Sequence, residues 1–171
     1  MEIGILIAFF LLRLGITLAV GSSTFALAFY FAAIADGAID PSERRFMHLV
    51  YFVLRIGMVI TILSQLVLLG FFLSRGGAFG ALDAAFWFEW TLLLIIIANA
   101  ILMQVRVMPM WLGPALAGGS WYSFFTAHVL SDLSVTASYL TWFGGYALFV
   151  IFLVALFAFL KRTLRPRQVA L

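Results

Sequence analysis

The stretch "FFLLRLGITLAVGSS", residues 9–23, places Arg13 deep inside an apolar run, and its core hexapeptide recurs. "FLLRLG" (Phe10 to Gly15) returns 42 positions later as "FVLRIG" (Phe52 to Gly57), again with its arginine, Arg55, among apolar neighbours. Such runs exceed the roughly 20 residues that span a bilayer as helix, and none alternates as a barrel strand would. Across the 171 residues 65% are apolar and 10% charged, with a mean hydropathy of +1.18. A soluble domain of this size has too little interior to hide that surface, so its solvent is lipid. The expected class is all-α: a polytopic integral membrane helical bundle.

Working outward from the first run, five transmembrane helices are expected, forming a single transmembrane helical domain over residues 1–171. The first covers about 3–34 and ends at "ADGAIDPSE", where Asp36-Gly37 marks a turn. Asp40-Pro41-Ser42-Glu43 supplies an N-cap, a proline at the first helical position and a carboxylate three residues after the cap. The second helix follows over 41–74, and Gly76, Gly77 and Gly80 read as a flexible connection. The third spans about 82–108 and is stopped by Pro109. A short fourth segment, 114–130, is rich in glycine and serine and could be re-entrant. "SDLS" (131–134) reads as the cap of a fifth, 133–162. Several of these helices are longer than 28 residues, which implies tilt or projection beyond the bilayer.

Lysine and arginine placement sets the orientation. With five spans, Arg44, Arg45, Arg106, Lys161, Arg162, Arg165 and Arg167 fall on one side and Arg75 on the other. The N-terminus is therefore expected outside and the C-terminus in the cytoplasm, with a prokaryotic cytoplasmic membrane as the location. The first run has no basic leader and outlasts a signal peptide's apolar length, so it reads as a span. Trp87 and Trp90 at one boundary and Trp111 and Trp121 at the other suit interfacial anchoring. Gly15, Ala19 and Ser23 recur every fourth residue and form a small-residue face for close helix approach.

The polar residues inside the runs need partners, because an arginine at a helix centre costs about 2.5–3.5 kcal/mol on insertion scales. Helix midpoints place Arg13, Gln65 and Glu89 together, each roughly 9–10 Å to the outer side of the bilayer centre, with Tyr139 and Thr141 near that level. Arg55, Asn99 and the Ser22-Ser23-Thr24 cluster fall roughly 5–8 Å to the inner side. Glu89 is the carboxylate placed to pair with Arg13, unless Arg13 snorkels to the outer interface instead. Arg55 has no acid at its depth and would turn to Asn99, hydroxyls or freed carbonyls instead. An anionic ligand, a lipid phosphate or water would complete its environment. Arg13, Arg55, Gln65, Glu89 and Asn99 are thus the candidate ligand or ion pathway, though a satisfied network joining helices would use the same residues. The repeat lies on antiparallel helices and would be an inverted pair, a device some transporters use.

Other chemistries find little purchase. There are no cysteines, so disulfides, thiolate metal sites and thiol nucleophiles are excluded. Retinal would need a buried lysine for its Schiff base, and the one lysine, Lys161, stands at the end of a helix. His48 and His128 are weak cofactor candidates on opposite sides of the membrane, unsuited to ligate one haem together. No cofactor is predicted and no metal site, since the Met-rich stretch of Met103, Met108 and Met110 suits packing at a helix end better than copper(I). No phosphate-binding glycine loop or hydrolase motif occurs, and no enzymatic activity is expected. The net charge of +3 sits at membrane boundaries and is no nucleic-acid signal. Two functions remain in view: a channel or transporter of a small anionic solute or ion, or a structural or accessory subunit of a membrane assembly. The expected partners are membrane lipid and a homo-oligomer or other membrane subunits.

Overall fold

A computed structural model describes residues 3–36, 40–105, 107–109 and 112–164. Gly37, Arg106, Met110, Trp111, Arg165 and Arg167, each used in the sequence reading, lie outside the described residues. The described chain is all-helical: α1 (Ile3–Asp36), α2 (Pro41–Ser74), α3 (Ala84–Gln104), α4 (Leu112–Asp132) and α5 (Tyr139–Leu164), with one 3-10 turn at Phe79–Ala81. Among the described residues, α1, α2, α3 and α5 are long and apolar enough to cross a membrane. Large apolar side chains such as Phe10, Leu63, Leu94 and Leu148 stand exposed on the outside of the bundle, as a lipid-solvated surface requires.

α1 and α2 form a long antiparallel hairpin, in register from Gly4 against Phe71 to Phe29 stacked on Phe46. Its centre is the repeated hexapeptide. A Cβ built on Gly15 would meet the Gly57 carbonyl oxygen at 3.0 Å, and one on Gly57 the Gly15 carbonyl at 2.8 Å. The two backbones therefore touch directly, which only glycine permits. Ala19, fully buried, and Thr61, whose hydroxyl donates to the Gly57 carbonyl at 2.8 Å, continue the small-residue seam.

α4 is the central helix, packed on α1, α3 and α5. Its glycines explain how one helix serves three neighbours. A Cβ on Gly113 would strike Met103 of α3 at 2.8 Å, one on Gly118 Leu27 of α1 at 2.9 Å, and one on Gly119 Val150 of α5 at 2.9 Å. The expected short segment is instead a continuous 21-residue helix, with Pro114 in its first turn, where a missing N–H does no harm. Trp121, expected at an interface, is 1% exposed in the bundle centre. Nine residues into α4, it fills the space that the small residues of α1 and α4 leave.

Three boundaries differ from the sequence reading for local reasons. α3 unwinds at Gln104, before the anticipated 108, and Val107 and Met108 N–H both turn back to the Leu102 carbonyl. The proline at 109 disfavours helical geometry in the residue preceding it. "SDLS" closes α4 rather than opening α5: Val135 N–H donates to Leu130 O and Ser134 N–H to Ser131 O, both 2.9 Å, with Ser134 at φ 59°. That is a Schellman cap with serine in the left-handed position. α5 starts later, where Ser138 Oγ accepts from Thr141 N–H at 3.2 Å. The glycine-rich connection after α2 is the same cap with glycine in place, Gly76 at φ 82°, so it is a formed turn.

Candidate functional site

The five candidate residues separate into two groups at opposite ends of the bundle. Gln65 and Glu89 meet at the α2–α3 contact: Gln65 Nε2 donates to Glu89 Oε2 at 2.6 Å. The Nδ1–H tautomer of His128 donates to Glu89 Oε1 at 3.3 Å, tying α4 into the same knot. Glu89 is 5% and Gln65 3% exposed. Sequence reasoning ranked His128 only as a weak cofactor residue. Its place opposite Glu89 follows from α4 lying antiparallel along α3, which no spacing in the sequence announces.

Arg13 does not pair with Glu89. Its guanidinium binds Asp132 at 2.8 Å, on the last turn of α4, with both side chains about half exposed. A helical side chain leans toward the N-terminus of its own helix. Arg13 therefore reaches toward the start of α1, where Asp132 stands, and leaves Glu89 to Gln65 and His128. Thr91 and Tyr139, hydroxyl to hydroxyl at 2.9 Å, join α3 to α5 at this same end.

Arg55 follows the same rule in the opposite direction, because α2 runs antiparallel to α1. It borders a cavity of about 340 Å³ between α1, α2, α3 and α4 and is itself exposed. That volume lies within the roughly 300–1,000 Å³ usual for ligand pockets. Asn99 and Ser23, expected at the depth of Arg55, line this cavity with it, as do Tyr51 and Gln104. Among the described residues Arg55 forms no hydrogen bond or ion pair. Asn99 is 3% exposed. Its Nδ2 donates to the Gly113 carbonyl at 3.0 Å, and its Oδ1 is buried without a donor.

The two groups are not continuous. Leu12, Ile16, Phe88, Leu92, Leu93 and Phe124 form one packed apolar cluster. On α3, Leu92, Leu93 and Ile96 occupy the turns between Glu89 and Asn99, all buried.

His48 is exposed near the start of α2, seventeen residues before Gln65, hence roughly 25 Å along the helix from the level of His128. One iron cannot reach both. Among the described residues no three His, Cys, Asp or Glu side chains cluster as a metal site would require. No protein-family model, curated protein or solved structure matches the chain.

Proposed function

We propose that this is a five-span membrane protein, N-terminus outside and C-terminus cytoplasmic, that binds an anionic solute at Arg55. Five spans are supported by α4 being bonded to α3 near both ends, through Asn99–Gly113 and Glu89–His128. At 21 residues it measures roughly 32 Å, about a hydrocarbon thickness. Its modest apolarity is accounted for by burial among α1, α3 and α5. The alternation then puts Arg44, Arg45 and Arg162 on the inner side, in keeping with lysine and arginine bias.

The observation that carries the binding reading is the unpaired Arg55 on the cavity wall. Exposed Phe46, Leu49 and Phe52 precede it on α2. Arg55 thus lies roughly 14 Å along the axis from the first exposed apolar side chain. A cation held there needs a counter-charge. A carrier that binds its anion fits better than an open conduit, since the packed apolar cluster separates the inner cavity from the outer polar knot. The test is native mass spectrometry of protein purified from its membrane. A bound anionic species is expected on the wild type and absent from Arg55→Leu at unchanged fold. Identical adduct-free spectra for both would remove the reading.

One observation favours the second reading, a subunit of a larger membrane assembly. α2 packs along α1 but not extensively on α3 or α5, and Ile56, Val59, Leu63 and Leu66 leave an apolar face outward. A second copy or another subunit would cover it. Cross-linking through cysteines introduced at Leu63 tests this, with a dimer band expected.

A further inference from the structure

Resting on the anion-binding reading, we infer that the occupant of the Arg55 cavity is an anionic lipid: a phosphate with a neighbouring hydroxyl, and one acyl chain in the cleft.

The cavity is graded along its depth. Position along each helix orders its lining residues. Tyr51 and Arg55 on α2, and Asn99 and Gln104 on α3, occupy the inner part. Met58 on α2, Ile96 on α3 and Trp121 on α4 lie deeper toward the bundle centre. A small hydrated anion would satisfy Arg55 and leave the apolar end empty. An amphiphile satisfies both ends.

The polar end asks for two kinds of group. The Arg55 guanidinium offers only donors and matches a phosphate in geometry as well as charge. The buried Asn99 Oδ1 offers only an acceptor, so its partner is a hydrogen-bond donor, O–H or N–H, carried beside the anion. A phosphodiester with a free glycerol hydroxyl presents both within a few bonds.

The route of entry is lateral. α2 and α3 are joined by Gln65 and Glu89 near the outer end, and elsewhere they are not a closely packed pair. The cleft between them at the level of Arg55 faces the acyl-chain region of the inner leaflet, so an entering lipid draws its headgroup below the interface to meet a guanidinium that reaches toward it.

The test uses the full chain in nonionic detergent and the fluorescence of Trp121 at the deep end, isolated by difference against Trp121→Phe. Bromine on an acyl chain quenches indole on contact. Brominated phosphatidylglycerol is expected to quench Trp121 saturably, at a mole fraction about tenfold below that of brominated phosphatidylcholine, the scale of one charge-assisted hydrogen bond. Arg55→Gln is expected to erase that preference, and Arg55→Lys to keep most of it. Equal quenching by the two lipids, a preference surviving in Arg55→Gln, or quenching that does not involve Trp121 would each overturn the lipid assignment. Inorganic phosphate separates the two proposals. Arg55-dependent thermal stabilisation by phosphate alone, with no lipid quenching, would refute the lipid and uphold anion binding. Response to neither probe refutes both.

Discussion

Gly15 and Gly57 face each other across the α1–α2 crossing, each occupying the space that the other's Cβ would need. They are the last residues of the two copies of the repeated hexapeptide, so the repeat marks a local two-fold contact. The arginine two residues before each glycine is thrown in opposite directions by the antiparallel helices. One lands on Asp132 and the other on the cavity wall.

Replacing Gly57 with alanine is expected to lower stability by about 1–3 kcal/mol, because backbone rather than a movable side chain fills the space. Gly15→Ala should behave alike. Gly144→Ala, which meets nothing within 4 Å, should be neutral or stabilising by up to about 1 kcal/mol. Thermal unfolding in detergent compares the three; a loss at Gly144 equal to that at Gly57 would discredit the crossing.

The two acid contacts should differ in weight. Arg13→Gln breaks a half-exposed pair and is expected to change stability by at most about 1 kcal/mol. Glu89→Leu strands the buried Gln65 amide and the His128 ring and should cost about 1–3 kcal/mol. The same unfolding assay ranks them.

Ser134 holds the left-handed position that closes α4, at φ 59°. Glycine there relieves a strain of about 1–2 kcal/mol, so Ser134→Gly is expected to raise the melting temperature. Ser134→Val should lower it.

Ser120 and Tyr146 pair their hydroxyls at 3.0 Å, both buried. A double-mutant cycle of Ser120→Ala and Tyr146→Phe is expected to give a coupling of about 0.5–1.5 kcal/mol. Additive losses would mean that the two hydroxyls act independently.

The hairpin was legible because its signals are local. The cap sequence after Asp40 sets the start of α2, and glycine, alanine and serine at every fourth position set the seam. Helix depth alone also brought Arg55, Asn99 and Ser23 to one level, where the cavity lies. What depth could not give is azimuth. Arg13 and Glu89 share a level, yet the side chain that reaches Arg13 belongs to the far end of α4. Trp121 misled for a related reason: tryptophan is common at interfaces, and only the glycines packed around it reveal that α4 runs through the middle. "SDLS" carries serine at both candidate cap positions, and the left-handed residue among them cannot be told from composition.

The Ser120–Tyr146 pair bears on how the molecule is made. Ribosomal synthesis delivers α5 after α4, so the hydroxyl that Ser120 needs does not exist while α4 is leaving the tunnel. Gly119 likewise waits for Val150 to close over it. The first three helices can commit to lipid on their own apolar merit, whereas the fourth becomes a settled part of the bundle only when the fifth arrives. A chain halted between Asp132 and Tyr146 would leave α4 half-sheltered, a natural mark for membrane quality control.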